Sequence, residues 1–357
     1  MIDNLTHLTL ESTHTLKTAI GKLDKINEKI LFIVNADRVL VGSLTDGDVR
    51  RWILQGGQLN TPVMNVCNKT PYVIREHYDF EVVKQVFFKQ HYLAIPVVNE
   101  NHVLVNILLR SSFFHLASDS LIPPKKTINI PAVIMAGGFG TRLDPFTKIL
   151  PKPLIPIGDK TIIEIIIDKF RTHKIENFYI SVNYKSKIIK SFFEELEPPY
   201  NVHFIDETIP LGTVGCLKTL SNIDAKSILV SNCDIIINTD YSDFVEFHEE
   251  NGNDISLVAS LMNFKIPYGV CEIKNHGELI RIIEKPEYDI LASTGMYIIN
   301  TNVLSCIPDE VVFHVTDLMN TVKERGGKIG VFPISSESWM DTGEWSEYKK
   351  TVSKMNL

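Results

Sequence analysis

The chain has 357 residues, 44% of them apolar, and a formal net charge of −7. That length exceeds one ordinary domain and implies two or three, each with a real apolar core. The acidic balance excludes a broad nucleic-acid or membrane-binding surface but leaves room for a local basic pocket that takes phosphates. No stretch approaches the ~20 apolar residues needed to span a bilayer. Met1–Thr18 lacks the basic start and apolar centre of a secretory leader, so a cytoplasmic location is expected. The five cysteines (Cys67, Cys216, Cys233, Cys271 and Cys306) are scattered and form no C-x-x-C pair. This argues for reduced, mostly buried thiols rather than disulfides or zinc ligands.

Taken in chain order, two weakly similar units come first. Thr15–Asn27 has helical character and leads to a strand at Ile30–Asn35, a turn, a second strand within Val39–Val49, and a helix starting near Gly47. Asp79–Gln90 repeats the helical character, followed by strands in Leu93–Asn99 and Val103–Phe113. Each unit is a helix–strand–turn–strand–helix module, a plausible repeat. Leu121–Ile130 (LIPPKKTINI) carries paired prolines and paired lysines. Proline pairs disfavour helix and stiffen the chain, so a linker is expected there. It would separate a domain at 1–120 from one at 131–357.

Beyond it, strand-like runs alternate with helical ones: PAVIMA, the helical Thr161–Ile175, FYISVNY, VHFIDE, SILVSN and ISLVASL. That alternation predicts an α/β domain with a doubly wound, mostly parallel, Rossmann-like sheet. Its ligand site should lie at the carboxyl ends of the strands.

The first strand of this domain runs into Ala136-Gly137-Gly138-Phe139-Gly140-Thr141-Arg142-Leu143. Glycines permit unusual backbone angles, and successive N–H groups can cup phosphate oxygens. Arg142 adds a fixed cationic fork suited to phosphate. Pro151-Lys152-Pro153-Leu154 holds Lys152 between two prolines that fix its path. A glycine-rich turn alone is equally a plain strand-to-helix connection. The spacing is neither G-x-G-x-x-G nor G-x-x-x-x-G-K-[ST], which disfavours a dinucleotide fold or a P-loop ATPase.

AGGFGTRLDPFTKILPKPL at 136–154 resembles the signature of the sugar-phosphate nucleotidyltransferase family, close to AGG-x-GTRL-x-P-x-T…PKPL. The resemblance covers residues 131–357 and recurs in separated motifs. It implies a fold of the GT-A-like kind and transfer of a nucleotidyl group from a nucleoside triphosphate to a sugar 1-phosphate. It assigns Ala136, Gly137, Gly138, Gly140 and Thr141 to the nucleotide, together with Glu207, Gly212 and Thr213 of the E-x-x-P-L-G-T segment. A carboxylate accepts hydrogen bonds only, and guanine offers N1–H and its N2 amino group side by side, so Glu207 points to GTP. Relatives using thymidine or uridine triphosphates tend to carry glutamine there.

The resemblance also makes Asp234 and Asp341 the ligands of a Mg²⁺ cofactor, which suits an ion that takes few carboxylates and completes its shell with phosphate and water. On the acceptor side it places Tyr268, Gly269, Glu284, Lys285, Thr294 and Gly295. Ser293 stands where the family often has asparagine, which leaves the sugar open.

In the implied reaction the already anionic sugar-phosphate oxygen attacks the α-phosphorus, so the catalytic residues position and neutralise. Arg142 holds the leaving phosphates, Lys152 the α-phosphate, Lys285 the acceptor phosphate and Asp234 the metal.

Residues 1–120 resemble a tandem CBS domain pair, an α+β module. Gly42-Ser43-Leu44-Thr45-Asp46-Gly47-Asp48 matches G-x-[apolar]-T-x-x-D. In that family the threonine and aspartate can hold a nucleotide, here Thr45 and Asp48. The second unit, Val105–Arg110, has lost the motif's glycine and aspartate. The module either binds a nucleotide effector or is structural, stabilising a homo-oligomer.

Taken together, these resemblances are closest to glucosamine-1-phosphate guanylyltransferases, which feed legionaminic-acid-type bacterial surface glycans. Mannose- or heptose-1-phosphate enzymes are the alternatives, as is a nucleotide-sensing protein with an inactive transferase domain. The last would be expected to lack Arg142, Lys152, Asp234 or Asp341, and all four are present.

Overall fold

A computed structural model describes residues 4–26, 28–79, 82–83, 85–87, 92–109 and 127–354. The chain divides into two compact units, Met1–Pro124 and Lys125–Leu357. The expected helix at Asp79–Gln90, the run to Phe113 and the linker at Leu121–Ile130 lie partly outside the described residues.

The first unit holds β1 (Thr9–Glu11), β2 (Ile30–Val34), β3 (Leu40–Thr45), β4 (Ile74–Arg75), β5 (Ala94–Val98) and β6 (Leu104–Leu109). They form two three-stranded sheets, β1-β2-β3 and β4-β5-β6. In each, the first pair is parallel and the second antiparallel. The repeat read from the sequence is visible in the backbone. Asn35 Oδ1 accepts the N–H groups of Asp37 and Val39 at 3.0 and 2.9 Å, and Asn99 Oδ1 accepts those of Asn101 and Val103, both at 3.0 Å. Such side-chain mimicry of a backbone turn is what favours Asn there. The two turns join reciprocally, Leu40 N–H to the His102 carbonyl and Leu104 N–H to the Arg38 carbonyl, each 3.0 Å.

The second unit is built on β7 (Ala132–Met135), β10 (Asn177–Val182), β11 (Asn201–Asp206), β12 (Ser227–Asn232), β14 (Ile255–Lys265), β17 (Glu287–Asn300) and β18 (Ile329–Ser335), in the order β11-β10-β7-β12-β17-β14-β18. Three short pairs complete it: β8 (Pro156–Ile157) with β9 (Lys160–Thr161), β13 (Ile235–Ile237) with β19 (Trp339–Asp341), and β15 (Val270–Ile273) with β16 (Leu279–Ile283). Within the seven-stranded sheet only β17 runs against its neighbours. The expected mostly parallel sheet is present.

Alternation along β7 sends Ala132 and Ile134 into one apolar layer and Val133 into the other. The first layer includes Ile163, Ile166, Ile167 and Phe170 of helix Ile162–Arg171. The second includes Leu318 and Val322 of helix Val315–Glu324. Both faces are therefore helix-covered, and β7 is buried on both. Helix Ile162–Arg171 starts where Thr161 and Glu164 cap each other reciprocally.

The outer part of β14, the β15–β16 hairpin and the start of β17 make one antiparallel excursion. Its ladder runs through Lys265↔Glu287, breaks, and resumes at Val270↔Ile283.

Candidate active site

The carboxyl ends of β11, β10, β7 and β12 lie side by side. The residues that follow them are Glu207, Asn183, the Gly137–Gly140 loop and Asp234. Strand order reverses around β7, whose neighbours are β10 on one side and β12 on the other. Ligands of doubly wound sheets bind at such a crevice, and the sequence expectation named this edge.

The glycine loop is tightly seated. Gly140 has φ +69°, and a Cβ there would lie 2.9 Å from Thr147 Cγ2 and 3.1 Å from Lys152 Cβ. A side chain is thus excluded both by backbone conformation and by the approach of Lys152. Gly137 faces the other way: its Cβ would lie 3.0 Å from Glu207 Oε1 and 3.4 Å from Asn183 Cβ. The loop is a bridge between the lysine and the glutamate. Gly138 is open, with nothing within 4 Å.

Thr141-Arg142-Leu143 turns in a short 3₁₀ segment with Leu143 buried. Arg142 and Glu344 pair at 3.1 Å with side chains 66% and 52% exposed. An ion pair that wet is weak, so the guanidinium is readily available to an anion. Behind it, Trp345 Nε1 donates to the Asp144 carbonyl at 3.0 Å, and its ring meets that of Phe146 at a tilt, centroids 5.0 Å apart.

Lys152 and Asp234 form an ion pair through Nζ and Oδ2, with side chains only 9% and 17% exposed. Asp341 joins them from β19, which pairs with β13 directly after Asp234. Thr342 locks the junction, its N–H and Oγ1 both donating to the Asp234 carbonyl at 2.8 Å. The convergence is measured at Gly343, where a Cβ would stand 2.8 Å from Asp341 Oδ1, 3.2 Å from Asp234 Oδ2 and 3.4 Å from Lys152 Nζ. Burial pushes the Asp341 carboxyl above its ordinary range. The Gly343 N–H, at 2.6 Å, pulls back, and Asp234 adds to the rise.

Two carboxylates aimed at one small space make a fitting cradle for a divalent cation. Among the described residues no third carboxylate, His or Cys joins them, which suits Mg²⁺ completed by substrate oxygens rather than a closed protein cage. Cys233, next to Asp234, is fully enclosed and its thiol is pushed up to about 12 by burial, so it is inert.

Glu207 is firmly held. Oε1 accepts from the Ser181 hydroxyl and Oε2 from Leu211 N–H at 3.0 Å, while its carbonyl accepts from Asn183 Nδ2 at 2.6 Å. Each carboxylate oxygen keeps a further lone pair. Gly212, at φ +82°, sits against Phe313, whose carbonyl would be 2.6 Å from a Cβ. Thr213 Oγ1 accepts the N–H of Val315 at 2.8 Å, at the start of helix Val315–Glu324, and keeps its own O–H to donate.

Most of the residues expected on the acceptor side sit at the break in the β-excursion. Gly269 lies against Glu284, with a Cβ position 3.0 Å from Oε2. Lys285 has φ +45°, Tyr268 is 74% exposed, and Glu284 and Lys285 are exposed. Gly295, at φ +92°, is capped by Asn232, with a Cβ position 2.5 Å from Nδ2. The Thr294 hydroxyl is buried and donates to the Val258 carbonyl at 2.9 Å. Ser293 contacts the Tyr297 hydroxyl at 3.3 Å.

Sequence reasoning missed Ser181, Asn183, Asn232 and Gly343. Asn183 and Asn232 could have been found by position, since each ends a strand on the ligand edge. In the first unit, Thr45 and Asp48 are engaged with each other. Thr45 N–H and Oγ1 donate to Asp48 Oδ2 at 2.8 Å, and Arg51 pairs with Oδ1.

The family model for nucleotidyl transferases matches residues 131–356. A mannose-1-phosphate guanyltransferase of Emericella nidulans is 33% identical, covering 61% of this chain and 62% of that protein. Its counterpart in Aspergillus fumigatus is 35% identical with the same coverage. The chain thus spans about 62% of the length of these relatives. HddC from Yersinia pseudotuberculosis, solved in complex with GMP-PN, superposes with a TM-score of 0.50 at 25% identity, covering 63% of this chain and 99% of that one. Among the described residues no helix is long and apolar enough to cross a membrane. With a match over residues 131–356 and the motif residues gathered at one sheet edge, the chain belongs to the nucleotidyl transferase family.

Proposed function

We propose that residues 131–357 transfer GMP from GTP to a sugar 1-phosphate, releasing pyrophosphate. The observation that carries this reading is the seating of the glycine loop between two partners. Lys152, Asp234 and Asp341 lie toward Gly140 and Gly343, and Glu207 lies against Gly137. The relatives named mannose-1-phosphate guanyltransferases and the GMP-PN complex of HddC support a guanine donor.

The chemistry asks little of proton transfer. An anionic phosphate oxygen is the nucleophile, so the chain's work is orientation and charge neutralisation. Glycine-loop N–H groups and Arg142 hold the outgoing phosphates, and Lys152 neutralises the α-phosphate. Lys285 holds the acceptor phosphate, Glu284 a sugar hydroxyl or amine, and Tyr268, Gly269 and Gly295 frame the ring. Glu207 accepts from guanine N1–H and N2, its pose fixed by Ser181 and Leu211. Asp234 and Asp341 would hold Mg²⁺, which supplies charge neutralisation for the triphosphate when bound.

Two acceptors are in contention. The motif combination favours glucosamine 1-phosphate, and with it a role in legionaminic-acid-type glycans, whereas the relatives' names favour mannose 1-phosphate. Pyrophosphate release over a matrix of triphosphates and sugar 1-phosphates tests both points. GTP should dominate the donors, and a preference for dTTP or UTP would sink the donor assignment.

For residues 1–120 we favour a CBS-type module with a structural role over an effector site, because Thr45 and Asp48 satisfy one another as a helix cap. Calorimetric titration of the whole chain with AMP tests this, and a saturable micromolar heat would overturn it.

A further inference from the structure

The turn that follows β10, Asn183-Tyr184-Lys185, meets the glycine loop residue by residue. A Cβ on Gly137 would lie 3.4 Å from Asn183 Cβ. The Tyr184 ring lies against that of Phe139, centroids 5.2 Å apart. Lys185 Nζ donates to the Thr147 carbonyl at 3.0 Å, and Thr147 is the buried residue whose Cγ2 closes on Gly140. The same ammonium stands 5.2 Å from the centroid of the Tyr184 ring, a cation–π distance. Lys185 thus ties together two contacts on the loop, one through Tyr184 to Phe139 and one through Thr147 to Gly140. The loop has little packing of its own on the outer side, where Phe139 is 54% exposed and a Cβ on Gly138 would meet nothing within 4 Å.

The backbone makes lysine a costly choice at this position. Lys185 has φ +55° and ψ +32°, in the left-handed region, and it is the N-cap of helix Ser186–Leu196 with no side-chain cap bond. Long side chains avoid that region, and N-caps favour Ser, Thr, Asp and Asn. Asparagine would suit both demands. A lysine that bears two local costs is there for what its side chain does. We infer that Lys185 is a positioning residue, whose ammonium holds the Gly137–Arg142 loop in its ligand-ready shape before the triphosphate arrives. Glycine-rich backbone loses more freedom than most when it is ordered, and a loop ordered in advance costs less on binding. The inference rests on the reading of that loop as a triphosphate cradle.

Lys185→Asn in the full chain is the test. Asparagine suits the backbone but is too short to reach Thr147, so the melting temperature should hold or rise. The KM for GTP should nevertheless rise at least tenfold, while the KM for the sugar 1-phosphate changes less than twofold. Lys185→Arg keeps a cationic donor and should stay within threefold of the wild type. Lys187→Asn removes an exposed cation two residues on and should leave the KM for GTP unchanged, which separates a tether from a general positive field. Hydrogen exchange of the ligand-free chain needs no turnover: the peptide spanning Gly137–Leu143 should exchange at least tenfold faster in Lys185→Asn. A wild-type KM for GTP in Lys185→Asn, an equal rise in Lys187→Asn, or unchanged loop exchange overturns the inference. So does a lower melting temperature with both KM values raised alike, which marks a merely structural residue. A wild type that neither binds nor turns over GTP sinks the donor reading instead, and loop exchange then decides the tether alone.

Discussion

The two halves of the candidate site are built on different ground. The expected donor side grows from the ends of four adjacent strands of the central sheet, whose β7 is buried on both faces, and Lys152, Asp234 and Glu207 are each fixed by a partner. The acceptor side hangs largely on a two-stranded excursion, with Tyr268, Glu284 and Lys285 exposed. A site on a rigid scaffold is held to sub-ångström geometry, whereas one on a projecting ribbon is ordered partly by its ligand. The donor side should therefore be stiff and intolerant, and the acceptor side more adaptable to different sugars.

The sharpest way to break that contrast is through the buried pair. Lys152→Met leaves Asp234 without its cation, so it should lower kcat by about 10²–10³-fold and destabilise the fold by roughly 3–5 kcal/mol. Thermal melting beside kinetics reads both, and normal values would mean that the donor side is not preorganised as described. Next comes Gly295→Ala. With φ at +92° and Asn232 in the way, it should cost about 1–3 kcal/mol and raise the acceptor KM more than the GTP KM. An equal rise in both would remove Gly295 from the acceptor side. Arg142→Ala and Glu344→Ala sharpen the picture further. Arg142→Ala should cost about 10²-fold in kcat/KM. Glu344→Ala should shift stability by less than about 1 kcal/mol, because the pair is exposed.

The smallest effect lies away from the site. His248 is buried between Ser256 and Asn300, and burial lowers its pKa from the ordinary 6.5. As pH falls through 6.5 the unfolded chain takes the proton before the folded one, so stability is lost on the acid side and unaffected above. The slope cannot exceed about 1.4 kcal/mol per pH unit. His248→Gln should flatten it in urea titrations between pH 7 and 5.

Much of this was legible in the sequence because the donor side follows local rules. A strand ending in glycines, and a lysine locked by prolines, announce themselves within twenty residues. The Thr45–Asp48 cap follows a local rule too, since T-x-x-D is a helix-start pattern. What stayed hidden depends on distant pairing. The β13–β19 ladder that brings Asp341 to Asp234 joins segments far apart in the chain. Ser181 as the holder of Glu207 emerges only when β10 and β11 lie side by side. The bond from the Thr294 hydroxyl to the Val258 carbonyl likewise joins two strands and is not readable locally.

The proposed function rests on a guanine-reading carboxylate beside a triphosphate cradle. It is tested most directly by pyrophosphate release from GTP, dTTP and UTP, with glucosamine 1-phosphate and mannose 1-phosphate as acceptors, in the wild type and in Glu207→Gln. The account predicts GTP-dependent turnover in the wild type and at least a tenfold loss of GTP preference in the variant. A wild type that favours dTTP or UTP, or a variant with GTP preference intact, would contradict it.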